Sequence, residues 1–146
     1  MHSEEERLML LIKDAEKLHG HLGPFLVIGV RMGRLVEKIL NAESEKNNKL
    51  QVYAKIPLLT PFSCILDGIQ ITTKCTVGNQ KLRIENSEKE ITAHFALRKP
   101  NKTLKVTAKP KMIEELIGKI SKGVSNEELA LEIVRMPESQ LFTVEK

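Results

Sequence analysis

The 146-residue sequence predicts an α+β fold in one domain, with a mostly antiparallel sheet packed by about five helices. Three observations carry this. Two apolar patterns at helical spacing fill the first forty residues, period-two alternation dominates the middle, and helical spacing returns after Pro110. The length suffices for one buried core and requires no second folding unit.

Taken in order, Ser3 and Glu6 form a capping box ahead of Leu8, Leu11, Ile12, Ala15 and Leu18, so the first helix runs from about Glu4 to Leu18. Gly20 suits a left-handed helix end, and Pro24 suits the first turn of the next helix. That second helix extends to about Leu40 and is apolar on nearly all sides, which predicts burial. Gly29 and Gly33 share one of its faces; either another backbone approaches there, within the chain or across a dimer, or they are two tolerated glycines.

Residues 41–49 read as a loop, with Asn47-Asn48 as its turn signal. Leu50, Val52, Ala54 and Ile56 alternate with Gln51, Tyr53 and Lys55, predicting a strand that ends at Pro57. Ser63 is the expected N-cap of a third helix carrying Cys64, Ile65, Leu66 and Ile69. Residues 74–79 form its end and a turn. Alternating runs at 81–85, 91–97 and 104–108 are expected to form an antiparallel meander, with links at Asn86-Ser87 and Pro100-Asn101. A short helix closed by Gly123, another capped by Ser125 and stopped by Pro137, and a weak strand over 141–144 complete the chain.

Composition removes some functions. No apolar run approaches the ~20 residues that cross a bilayer, and the N-terminus is acidic, so a cytoplasmic protein without membrane contact is expected. The net charge of +4 leans toward the second half, but with no Trp, one Tyr and four Phe the chain lacks the aromatic platforms of a nucleic-acid surface, and nucleic acid is not an expected partner. Two cysteines without a secretion signal argue for reduced thiols.

The chemistry concentrates at His19-Gly20-His21-Leu22-Gly23-Pro24, a polar turn between two helices. His19, His21, Cys64 and Cys75 are donors of the kind that bind transition metals, zinc by preference. His21 and Cys64 are the leading ligands, with His19 and Cys75 as additional ones, against a plain alternative of a capped helix end with solvated or hydrogen-bonded histidines. On one straight helix Cys64 and Cys75 would lie about 16 Å apart, so either the helix ends first, or Cys75 belongs elsewhere, or it arrives from a second copy across a dimer. Cys64, near a helix N-terminus, is the better candidate for ligation or nucleophilic attack. Asp67 could orient a ligating histidine, act as a base, or simply complement the helix dipole. Cys64 and Asp67 are thus the candidate catalytic residues, and Arg31 and Gln70 the candidate cofactor contacts. Arg31 and Arg34 could hold an anion near the histidine turn. His94 reads as structural.

These residues resemble a known family. The block from His19 to Pro24, followed by Gly29-Val30-Arg31-Met32-Gly33, and the second block Cys64-Ile65-Leu66-Asp67-Gly68-Ile69-Gln70 with Thr73-Lys74-Cys75-Thr76-Val77-Gly78-Asn79, are similar to the two motifs of the formylmethanofuran dehydrogenase E-subunit family. The resemblance implies an α+β core forming intertwined dimers, with a metal site at the histidine turn and the second-motif cysteine. It also implies redox-enzyme subunits as partners, or an accessory role in holding a pterin or other anionic ligand. Some members add a C-terminal zinc ribbon; this chain resembles the core-only members. Gly23 departs from the pattern, since many relatives carry a cysteine directly before the proline.

Overall fold

A computed structural model describes residues 3–40, 49–98 and 101–146. Of the expected loop over 41–49 all but Lys49 lies outside the described residues, as do its Asn47-Asn48 turn and Pro100.

The first two helices follow the sequence closely. α1 (Glu4–His19) opens with the Ser3–Glu6 capping box and closes at Gly20, which takes a left-handed φ of 102°. α2 (Pro24–Leu40) is buried on almost every side, because it packs against α3, α5 and α1 at once. β1 (Leu50–Ile56) alternates between buried and exposed residues, as its sequence does.

α3 (Cys64–Thr73) enters differently from expectation. Ser63 stands at the N-cap position but has helical φ and ψ, and its side chain makes no capping hydrogen bond. The chain is already wound before it, through Cys64 N–H to Pro61 O and Ile65 N–H to Phe62 O, both at 3.1 Å. A residue inside a turn cannot swing its hydroxyl back over the helix end.

The expected meander is also corrected. β2 (Leu82–Asn86) pairs in parallel with β1, with Val52 opposite Leu82. β3 (Thr92–Leu97) pairs antiparallel with the other edge of β1, and β4 (Lys102–Ala108) follows it antiparallel. The five-stranded order is β2-β1-β3-β4-β5. The cause is α3: a helix between two neighbouring strands returns the chain to the starting end of the first, which enforces parallel pairing. α4 (Pro110–Ser121) and α5 (Asn126–Arg135) follow, the latter capped by Ser125 Oγ accepting from Glu128 N–H at 3.2 Å. One further turn, α6 (Glu138–Leu141), precedes β5 (Phe142–Glu145), which pairs antiparallel with β4. Among the described residues six helices and one mixed, mostly antiparallel sheet make up the α+β fold, and no helix is long and apolar enough to cross a membrane.

The α2–α3 crossing fixes the region of interest. A Cβ on Gly29 would fall 2.1 Å from Ile65 O, and one on Gly68 would fall 2.4 Å from Leu26 O. The close backbone approach suggested by the glycines is therefore within the chain, between two helices that meet main chain to main chain. Gly33 faces the side chain of Thr72 instead.

Candidate functional site

At the N-terminal ends of α2 and α3 the crossing opens into a cavity of about 80 Å³, lined by His19, His21, Gly23, Pro24, Phe25, Leu26, Pro61, Cys64, Ile120 and Asn126. His19, His21 and Cys64 thus line one cavity, although the histidines and Cys64 lie more than forty residues apart.

His19 is the most constrained of them. As the last residue of α1 it reaches α3, where its Nδ1 and Asp67 Oδ2 are 2.7 Å apart. With Nδ1 committed there, Nε2 is the ring atom left for the cavity, and it is buried with no hydrogen-bond partner among the described residues. The exposed His21 ring lies against it, centroid to centroid at 4.6 Å. Cys64 is buried; burial, and then the negative charge of Asp67, push its thiol above the ordinary range, so it stays protonated at neutral pH.

Asp67 is itself held. Gln70 Nε2 donates to its other oxygen at 3.2 Å, and Val77 N–H donates to Gln70 Oε1 at 3.2 Å. Gln70 therefore contacts the site through Asp67 and does not line the cavity.

Three of the residues expected near the site stand elsewhere. Arg31 donates through Nη1 to Ile133 O, Val134 O and Met136 O at 2.8, 3.0 and 2.8 Å. These carbonyls lie at the C-terminal end of α5, where Ile133 O takes only a 3.4 Å bond from Met136 N–H and the helix dipole is negative, so a guanidinium is well placed there. Arg34 is likewise occupied by Glu4, at 2.8 Å. Cys75 lies beyond the end of α3, which Lys74 closes in a left-handed conformation. Its thiol donates to Leu50 O at 3.2 Å, it is fully buried, and burial raises its pKa as well. Within the protomer it is a packed core residue. Among the described residues no group of three or more His, Cys, Asp or Glu is arranged to hold a metal ion as it stands, so ligation by His19, His21 and Cys64 together requires their side chains to draw closer.

Pro61, Ile120 and Asn126 also line the cavity, and no sequence signal marks them. Asn126 opens α5 and lies near Gly23, whose added Cβ would sit 4.0 Å from Asn126 Cγ and 3.9 Å from His21 Nε2. That position therefore has space for a side chain.

The family model described as FmdE, molybdenum formylmethanofuran dehydrogenase operon, matches residues 18–143, which contain every residue lining the cavity. The chain belongs to this family. It is also 31% identical over 78 residues to a protein of Archaeoglobus fulgidus described as a probable S-adenosyl-L-methionine-binding protein. That match covers 53% of this chain but 21% of the relative, so the chain spans about a fifth of the curated relative's length. No FmdE zinc ribbon is evident within these 146 residues, whose two cysteines are not a CxxC pair.

Proposed function

We propose that this FmdE-family protein binds a divalent transition metal, zinc by preference, in the histidine cavity, with His19, His21 and Cys64 as its donors. One observation carries the reading: His19 is tied through Nδ1 to a carboxylate while its buried Nε2 has no partner among the described residues. Leaving a buried polar atom unsatisfied costs roughly 1–3 kcal/mol, and a bound ligand removes that cost. A carboxylate behind one ring nitrogen is also the usual support for a histidine that ligates metal through the other. Two imidazoles and a thiol are a zinc-compatible donor set, and a site with three protein donors leaves a position for water or a small ligand. A zinc ion bound there would supply Lewis-acid chemistry. This chain's residues supply the rest: Asp67 orients His19, Cys64 must give up its proton to ligate, and Pro61, Phe25 and Ile120 line the cavity beside the donors.

Metal analysis of protein purified under reducing conditions tests the proposal. Wild type and Cys75→Ala should carry stoichiometric zinc, and His19→Ala and Cys64→Ala should lose it. Metal-free wild type after zinc reconstitution would remove the reading.

A second reading takes its support from the groove of about 660 Å³ lined by Phe62, Glu88, Glu90, Ile91, Glu114 and Ile117, among others. This volume falls within the roughly 300–1,000 Å³ of small-molecule sites, which the histidine cavity does not reach. The archaeal relative's description and the carboxylates around the groove fit a cationic sulfonium such as S-adenosylmethionine. Equilibrium dialysis decides: saturable binding weakened by Phe62→Ala supports it, and none at millimolar ligand ends it.

A further inference from the structure

The second sequence block carries Thr73 to Asn79, yet none of these residues lines the histidine cavity. Hydrogen-bond direction gives them a role. A backbone N–H can only donate, so Val77 N–H fixes Gln70 with Oε1 toward the main chain, at 3.2 Å. The Gln70 amide must then present Nε2 to Asp67 Oδ1, where it donates at 3.2 Å. Asp67, an acceptor when ionised, turns Oδ2 to His19 Nδ1 at 2.7 Å, so that nitrogen must carry the ring's proton. We infer that Gln70 is a positioning residue in a one-way relay, Val77 to Gln70 to Asp67 to His19, which holds neutral His19 as the Nδ1–H tautomer and presents an unprotonated Nε2 to the cavity.

The loop that starts this relay is pinned from within. Asn79 Oδ1 accepts from Thr76 N–H and Lys81 N–H, each at 3.0 Å, and Asn79 Nδ2 donates to Lys74 O at 2.7 Å. Thr76 Oγ1 accepts from Asn79 N–H at 3.0 Å. The Val77 amide is therefore delivered by a turn that cannot drift, at the far end of α3 from Cys64. On this account the second block is one device: its start contributes a cavity residue, and its end sets the protonation pattern of a histidine from the first block.

The inference rests on the metal reading for its purpose but not for its test. Long-range proton–nitrogen NMR of the metal-free chain, read where the His19 ring signals are those of a neutral imidazole, reports which ring nitrogen is protonated. His19 should be the Nδ1–H tautomer in wild type. Gln70→Glu keeps an acceptor for Val77 but has no donor for Asp67, and it should shift His19 to a tautomer mixture while amide spectra elsewhere stay unchanged. Asn79→Ala should do the same to a smaller degree. Zinc affinity should fall about 10-fold in Gln70→Glu, in line with other groups that support a metal ligand. An Nε2–H tautomer in wild type, or an unchanged tautomer in Gln70→Glu, overturns the relay. The Nδ1–H tautomer in a chain that binds no zinc supports the relay and counts against the metal reading alone.

Discussion

At Gly68, α3 lies so close to α2 that an added methyl would meet main-chain atoms at 2.4 and 2.6 Å; at Cys64, one turn earlier, the same helices part around a cavity of about 80 Å³. The first contact has no slack, and the second leaves a buried histidine nitrogen unpartnered among the described residues. The difference shows where rigidity comes from. A backbone-to-backbone crossing holds two distant segments in fixed relation, so space beside it can stay open without the donors drifting apart.

The sharpest way to break the contrast is to fill the tight side. Gly29→Ala and Gly68→Ala should each cost about 3 kcal/mol or more, at or beyond the top of the usual overpacking range, because main-chain atoms cannot move aside as a side chain can. Urea denaturation measures this, and a loss under about 1 kcal/mol would show that the helices separate easily. On the open side, Asp67→Asn should weaken zinc binding about 10- to 100-fold, with a much smaller effect on stability. Competition with a chelating dye reads the affinity.

The two cysteines sharpen the comparison next. Cys75→Ala removes a buried hydrogen bond to Leu50 O and should cost about 1–2 kcal/mol while leaving zinc content intact. Cys64→Ala should do the reverse. Both folded-state thiol pKa values are raised, so the neutral thiols contribute stability that is fully present below the ordinary thiol pKa of about 8.5 and declines as pH rises through the raised values. Metal-free protein should therefore lose stability from about pH 8.5 upward, and the loss should shrink in the double alanine variant. The smallest effect belongs to Gly23→Ala, which meets no atom nearer than 3.9 Å and should change stability by less than about 0.5 kcal/mol. Gly23→Cys adds a thiol beside His21 and should raise zinc affinity; unchanged affinity would mean that this position points its side chain away from the metal.

Much of the scaffold was legible because its signals are local. The Ser3–Glu6 box, Gly20 and Pro24 bound the first two helices within a residue of their positions, and the alternation from Leu50 to Ile56 gave β1 its limits. Strand partners were not legible, since β2 reads the same whether it pairs with β1 or β3, and only the α3 crossover decides. The candidate site divides the same way. His19, His21 and Cys64 are conspicuous by residue type, whereas the 48-residue span from His19 to Asp67, and the arrival of Ile120 and Asn126, depend on how α1, α4 and α5 pack. Arg31 misled because its partners are carbonyls, which no residue type announces.

The strand order also shapes how the chain reaches its native state. β1 is an interior strand, yet its neighbours come from beyond a helical crossover on one side and from nearly forty residues later on the other. β3 and β4 are a hairpin that forms cheaply, while β1 must wait for two costly loop closures. Pulse-labelled hydrogen exchange should accordingly find amides at 92–97 and 102–108 protected ahead of those at 50–56 and 82–86, leaving the β1–β2 side of the sheet as its latest addition.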